Sequence, residues 1–284
     1  MSERLDVRKT YKLVINGAFV RSESGRSYEV RHAAGDFWAN VAQGSRKDLR
    51  DAVRAARAVQ ATWWKATAYN RGQVLFRLAE MAEARRDELA AHVAAAEGVD
   101  APSAASSVAR GIDRIVWYAG WTDKVAQVLG GANPVAGPFF NFSLPVPSGV
   151  IGVLAPQDSS FEGFVDTVLA PLATGNAVVA VTSERRPTPA LLLAEMSVTS
   201  DLPAGVLNVV SGLTGELGPT LASHEDVDGI DLEGAGEHHD ELAASAADSI
   251  KRVRRASAGD YAESSTSRLR SFVETSTVWH TIGR

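Results

Sequence analysis

The stretch GVIGVLAPQDSSFEGFVDTVLAPLATGNAVVAVTSE, residues 149–184, decides the fold. An apolar run at 149–156 precedes a helical pattern that ends at Gly175, and a second apolar run follows at 176–181. Two near-continuous apolar strands joined by a helix are typical of a βαβ unit, whose parallel strands are buried on both faces. The stretch therefore predicts an α/β protein with a parallel sheet.

The same alternation continues toward the C-terminus. Strand patterns at 205–212, 227–234 and 251–255 alternate with helical patterns at 188–200, 216–224 and 237–250. Each helix connects two parallel strands by a right-handed crossover and packs against the sheet. Because the strands are apolar along their whole length, we expect helices on both faces of the sheet. We expect this core to span residues 150–255.

The flanking segments have other periods. Turn signals at Asn16-Gly17 and Ser24-Gly25 predict small antiparallel strands. Apolar spacing predicts a helix from Arg46, with Ser45 as its N-cap, and further helices over about 69–97 and about 106–129. FFNFSLPVP (139–147) and FVETSTVWH (272–280) have the composition of extended strands. The predicted segments are the N-terminal strands and helices (1–132), an extended arm (133–149), the βαβ core (150–255), a polar linker (256–268) and a last strand (269–284).

Composition excludes several classes of function. Of 284 residues, 45% are hydrophobic and 22% are charged, which is ordinary for a globular protein. The net charge of −5 argues against nucleic acid or an anionic membrane as a partner. No apolar run reaches the length of a membrane span and the N-terminus has no signal-peptide pattern, so we expect a cytoplasmic protein. Cysteine is absent, which excludes disulfides and thiol nucleophiles.

Two clusters are tempting as sites but have simpler interpretations. The carboxylates and histidines of 224–241 lie at the end of a strand and the start of a helix, where acidic residues are common, so we predict no metal site. The basic run 251–255 is interpreted as a solvated sheet end or a polar contact with a partner.

The phrases NRGQVLFRLAEMAEARRDEL, GVIGVLAP, GNAVVAVTSE, DLPAGVLNVVSG and HEDVDGIDLEGAG resemble the cofactor-binding half of the aldehyde dehydrogenase superfamily. The terminal FVETSTVWH resembles the last strand of the same family, which belongs to its oligomerisation element. The resemblance implies a Rossmann-like parallel sheet with a small β element for oligomerisation. The part that would correspond to the catalytic domain is missing between these two regions.

The resemblance also implies a chemistry that this chain lacks. In the family a cysteine thiolate attacks the aldehyde, hydride passes to NAD(P), and an asparagine helps to hold the oxyanion. No cysteine is present, and Asp158 stands at the position of the family's oxyanion asparagine. A carboxylate would repel the developing oxyanion, so we predict no catalytic residues and no activity of the chain alone.

The cofactor-binding residues that the resemblance implies are Pro156, Glu184, Gly212 and Gly234. The family's ribose-binding lysine is replaced by Val181, and Glu233 is expected to place a carboxylate near the phosphates. We therefore predict no tightly bound cofactor, although NAD(P) is the one that the fold would accept.

The favoured hypothesis is a truncated, non-catalytic structural or regulatory subunit that associates with a full-length aldehyde dehydrogenase. The last strand would either fold back on the arm 139–147 or add to the partner's sheet, and we favour the second outcome. Contact with the partner is expected through 269–284 and 139–147, and the helix near 238–249 could support a homodimer. The alternatives are an NAD(P)-binding component of an active oxidoreductase assembly and a free-standing nucleotide-binding module.

Overall fold

The structure is a computed structural model, and it describes residues 9–255 and 265–282. Its strands are β1 Thr10–Tyr11, β2 Leu13–Ile15, β3 Ala18–Val20, β4 Ser27–Arg31, β5 Phe37–Ala42, β6 Gly131–Asn133, β7 Phe139–Pro147, β8 Val150–Leu154, β9 Ala177–Val181, β10 Leu207–Val210, β11 Gly229–Asp231, β12 Arg252–Arg254 and β13 Val273–Thr281. Its α-helices are α1 Arg46–Lys65, α2 Ala68–Ala84, α3 Arg86–Glu97, α4 Ala101–Trp121, α5 Val125–Leu129, α6 Glu162–Ala173, α7 Thr188–Ser197, α8 Thr214–Ser223, α9 His239–Ala247 and α10 Thr266–Ser271.

A seven-stranded sheet forms the centre, with the strand order β12-β11-β8-β9-β10-β2-β3. Strands β8 to β12 are parallel, whereas β2 joins β10 in the antiparallel direction. The strand order reverses at β8, because β9 and β10 lie on one side of it and β11 and β12 on the other. This reversal leaves a crevice between the loops that follow β8 and β11, the place where α/β sheets bind ligands.

Helices cover both faces of this sheet, as the alternation predicted. The core on one face is contributed mainly by α2, α3, α4, α6 and α7, and the core on the other by α1, α8 and α9. Helix α6 is buried along its whole length, which explains its apolar sequence. The α/β class with a parallel sheet is confirmed.

The boundaries of two predicted helices, over 69–97 and over 106–129, differ from those in the structure. The helix predicted over 69–97 is two helices, because Arg85 leaves the helical conformation (φ −118°, ψ 23°) and lets α3 pack against α4 and α7. The helix predicted from 106 begins at Ala101, where Asp100 accepts a hydrogen bond from the Ser103 N–H, and it ends at Trp121 before the short α5. The N-cap at Ser45 is confirmed as a capping box with Asp48.

The C-terminal strand folds back on its own chain. β13 pairs with β7 in the antiparallel direction over nine residue pairs, with Thr277 opposite Ser143 at the centre, and β6 completes a three-stranded sheet. The fold-back pairing that we did not favour is therefore observed, because the arm 139–147 satisfies the backbone groups along one edge of the strand. Contact with a partner's sheet stays a prediction. The other edge of β13 faces no strand among the described residues. Most of the predicted linker lies outside the described residues, and its last positions form the first turn of α10.

Candidate functional site

The loops at the carboxyl ends of β8, β9 and β11 enclose a groove of about 380 Å³. Of the residues predicted to contact a cofactor, Glu184 and Gly234 line this groove, and Asp158 lies exposed at its rim. Pro156 is buried beside the start of α6, and Gly212 packs against the backbone of Gly44, so neither lines it. The structure therefore brings together three of the five residues that the sequence singled out.

Gln157 is the central residue of this groove, and sequence reasoning did not single it out. Its side-chain nitrogen donates to the carbonyl oxygens of Ala155 and Gly234, each at 3.3 Å. Its side-chain oxygen accepts from the Glu184 N–H at 3.0 Å and from the Ser183 hydroxyl at 3.2 Å. One amide thus joins the loops that follow β8, β9 and β11 and bridges the crevice at the reversal of strand order. The only feature of the sequence that pointed to Gln157 was its position in the loop PQDSS (156–160), directly after an apolar strand.

The other polar groups of the groove also have partners within the chain. The Gly234 N–H donates to the Leu154 carbonyl at 2.8 Å, and this turn lies so close to β8 that a Cβ on Gly234 would be 1.8 Å from the Ala155 oxygen. The Glu184 carboxylate accepts from the Thr214 N–H and so caps α8.

A dinucleotide would need the Gly234 turn, the Glu184 carboxylate and the crevice itself. The turn's N–H and one oxygen of the carboxylate are already hydrogen-bonded, and Gln157 spans the crevice. A dinucleotide would have to displace the Gln157 bridge and the bond of the turn, so the residues do not fit a tightly held dinucleotide in this arrangement.

Glu233 lies elsewhere than expected. Its carboxylate is 3% exposed and accepts from Arg268 Nη2 at 3.1 Å, so it points away from the groove and into the interior beneath α10. The expected repulsion between Glu233 and a phosphate group therefore does not arise in this arrangement.

Arg268 connects α10 to the core through three buried carboxylates. Besides Glu233, its guanidinium contacts Asp231 at the end of β11, and its Nε lies 2.7 Å from Asp166 Oδ2 on α6. The Arg268 side chain is 3% exposed, and the Asp231 side chain is fully buried. Burial raises the pKa of Asp231, and the charges of Arg268 and Arg254 oppose that rise.

The same cluster continues into α4 and β12. Asp166 accepts from Arg114 at 2.9 Å and from the Tyr118 hydroxyl at 2.6 Å, and Arg254 lies 3.6 Å from Asp231. Three arginines thus balance three carboxylates, which is the condition under which buried charges are tolerated. Asp166 within an apolar helix and Asp231 within an apolar strand were the sequence signals for this cluster.

Among the described residues, no group of three or more His, Cys, Asp or Glu side chains has the arrangement of a metal site. Within 9–255 and 265–282, none of the helices combines the length and apolar character that crossing a bilayer requires.

Comparison with known proteins gives the family. The sequence profile of the aldehyde dehydrogenase family matches residues 19–260. The chain belongs to the aldehyde dehydrogenase family. It is 36% identical to the mitochondrial benzaldehyde dehydrogenase of Antirrhinum majus over 230 residues, which are 80% of this chain and 42% of that protein. It is 33% identical to the mitochondrial aldehyde dehydrogenase of Mesocricetus auratus over 252 residues, 85% of this chain and 49% of that one.

Solved structures agree with this assignment. The NAD+ complex of an aldehyde dehydrogenase from Bacillus cereus matches 87% of this chain with a TM-score of 0.83 and 28% identity, and the match covers 50% of that chain. An aldehyde dehydrogenase family fold is therefore established. The chain spans about half the length of the relatives it matches.

Proposed function

We propose that this chain is a cytoplasmic, non-catalytic member of the aldehyde dehydrogenase family that acts as a structural or regulatory subunit of a full-length aldehyde dehydrogenase. The observation that carries the proposal is the small sheet β6–β7–β13, whose edge strand β13 has nine residues and an outer edge that pairs with no strand of 9–255 or 265–282. The lack of any cysteine supports the non-catalytic part of the proposal.

One face of this sheet, here called the apolar face, carries exposed apolar side chains mainly from β7, beside the polar side chains of Glu274, Ser276 and His280 from β13. Alternate residues of β7 place the side chains of Phe140, Phe142 and Leu144 on the same face, and Phe140 and Phe142 have ring centroids 5.3 Å apart. Val278 of β13 stands directly opposite Phe142. Exposed fractions are 50% for Phe140, 41% for Leu144 and 40% for Val278.

A free edge beside an apolar face is a surface that favours strand addition by a partner. Backbone pairing along β13 would give affinity, and burial of the apolar face would add to it. Helix α9 could supply a second contact or support a homodimer. The partner that we propose is a full-length aldehyde dehydrogenase of the same cell.

The test is complex formation between two purified proteins. The chain is mixed with each full-length aldehyde dehydrogenase of its organism, and the mass of the complex is measured by analytical ultracentrifugation. The double variant Phe140→Lys and Val278→Lys should abolish the complex, because it places charges on the apolar face. Phe76→Lys, a change at an equally exposed phenylalanine on α2, should leave the complex intact. An unchanged complex with the double variant contradicts the proposal.

A deletion that tests the role of β13 must begin after Phe272. Removing 269–284 would also remove Leu269 and Phe272, which are buried in the core, and would leave a cavity. Removing 274–284 keeps both residues and Arg268. This shorter deletion should release the partner while the βαβ core stays folded, as circular dichroism would show.

The alternative hypothesis, a cofactor-binding component of an active assembly, predicts a different result in the same mixture. Aldehyde-dependent NAD(P) reduction by the partner should then depend on adding this chain. A subunit without a catalytic contribution should form the complex and leave the rate per partner active site within about twofold.

A further inference from the structure

Arg71, in the first turn of α2, is a buried arginine that has no acidic partner in the part of the chain that the structure describes. The residue is 5% exposed, and no carboxylate of the described residues lies within ion-pair distance of it. Its Nη1 donates to the carbonyl oxygens of Ala66 at 2.6 Å and Trp64 at 3.2 Å. Its Nε is buried and has no hydrogen-bond partner among the described residues. Burial lowers the pKa of Arg71.

Part of this arrangement has a structural explanation. The two carbonyl groups lie at the C-terminal end of α1, where a cation is favoured by the helix dipole. These bonds use only one of the three guanidinium nitrogens. A buried charge normally has an opposite charge beside it, because carbonyl oxygens alone replace little of the lost hydration.

Arg71 lines a cavity of about 240 Å³. The cavity separates the α1–α2 turn from the base of the small sheet, and its walls include the Trp64 ring, Val125, Pro145 and Val273. Trp64 stacks on Arg71, with 5.1 Å from the guanidinium carbon to the ring centroid. The walls are therefore mainly apolar, with one cationic end.

Besides Arg71, three polar residues line the wall: Thr122, Asp123 and Thr174. The Thr174 hydroxyl is already bonded to the carbonyls of Ala170 and Pro171 and to Asn176 Nδ2. Thr122 donates its hydroxyl to the Ala119 carbonyl at 2.9 Å, so its oxygen can still accept a hydrogen bond. Asp123 is a carboxylate at the cavity, but its side chain is 58% exposed and bonded to Lys124 at 2.9 Å. A second negative charge on a ligand would be repelled by Asp123.

We propose that this cavity binds a small organic monocarboxylate. The carboxylate would accept a hydrogen bond from Nη2 of Arg71, because Nη1 is already bonded to two carbonyl groups and Nε is buried. The apolar body of the ligand would contact the Trp64 ring and the side chains of Val125 and Pro145. An aromatic or branched aliphatic acid of benzoate size fits the chemistry of these walls. This site lies apart from the groove at the ends of the strands and does not depend on the proposed partner.

The test uses benzoate as the probe and NMR chemical-shift titration of the full chain as the readout. We expect a dissociation constant of about 1 mM, with the indole signal of Trp64 among those that shift. Arg71→Gln should weaken binding at least about tenfold. Ala126→Leu, an exposed cavity-wall position on α5, should also weaken it by filling the space without touching Arg71. Asp123→Asn should tighten it.

The control is Arg77→Gln, on the same helix, where the arginine is exposed and paired with Glu80. It should leave the benzoate affinity unchanged. If benzoate gives no saturable shift by about 20 mM, or if Arg71→Gln and Ala126→Leu both bind as the parent does, the proposal is wrong. Tighter binding of inorganic phosphate than of benzoate would overturn the assignment to a monocarboxylate.

Discussion

Ile250, just after α9, has a backbone conformation that is costly for its side chain. Its φ of +56° lies in the left-handed region, where a β-branched residue is rare. The Ile250 N–H donates to the Ala247 carbonyl and the Lys251 N–H to the Ala246 carbonyl, the hydrogen bonds of a helix end that favours glycine. The side chain is 93% exposed and so contributes little packing.

Ile250→Gly should therefore raise the free energy of unfolding by about 1 kcal/mol. Urea denaturation measures this change. Ile250→Val, which keeps the β-branch, should be close to neutral. A glycine variant that is no more stable than the parent would show that this turn is not strained in solution.

His92, on α3, predicts a pH dependence of stability. Burial is the main reason that its pKa falls from 6.5 to about 4, and its Nε2 lies 3.0 Å from the Tyr11 hydroxyl. A base whose pKa is lowered on folding is protonated more readily in the unfolded chain. The stability that depends on neutral His92 is therefore fully present above pH 6.5 and is lost as the pH falls toward 4.

When the pH falls from 7 to 4.5, the lowered pKa of His92 should decrease the free energy of unfolding by roughly 2–3 kcal/mol. The measurement is urea unfolding of the parent and of His92→Gln at both pH values. Carboxylates titrate in the same range, so the quantity of interest is the difference between the two proteins. Equal losses in both would mean that His92 protonates without cost in the folded state.

At the scale of elements, α10 depends on Arg268 for its position. Arg268→Met would leave Asp166, Asp231 and Glu233 buried without their shared cation. We expect a loss of about 3–5 kcal/mol in the free energy of unfolding. Thermal and urea denaturation measure it.

The control for that prediction is Arg270→Met. Arg270 lies on the same helix but is exposed, so its replacement should change the stability by no more than about 0.5 kcal/mol. Similar small effects at both positions would mean that water reaches the carboxylates and hydrates them.

At the scale of the whole molecule, we expect the isolated chain to oxidise no aldehyde with either nicotinamide cofactor. The sequence contains no cysteine, and Asp158 is exposed at the rim of the groove. The assay is cofactor reduction measured against a heat-inactivated control. A rate above that control would require a nucleophile other than a thiol.

NAD binding by the same chain should be weaker than about 100 µM, because the groove's own groups bond to each other. Calorimetry measures it, and a low-micromolar dissociation constant would contradict this expectation. Gln157→Ala should tighten binding, since it removes the amide that bridges the crevice. If that variant binds no better, another feature of the groove limits affinity.

Much of the fold was determined by the sequence alone. The period of apolar residues predicted the parallel strands and their helices, Ser45 predicted the start of α1, and FVETSTVWH predicted β13. These features depend on residues a few positions apart, so their physical causes (side-chain period, capping and turn chemistry) are present in the local sequence.

Tertiary structure alone decided which distant groups meet. Arg268 lies 37 residues from Asp231, and β13 pairs with a strand more than a hundred residues earlier. Gln157 bridges loops from three strands, and Arg71 has no acidic partner among the described residues although carboxylates are common in its helix and the next. Burial sets the energy of such charges and amides, and burial depends on how the helices and the sheet pack together.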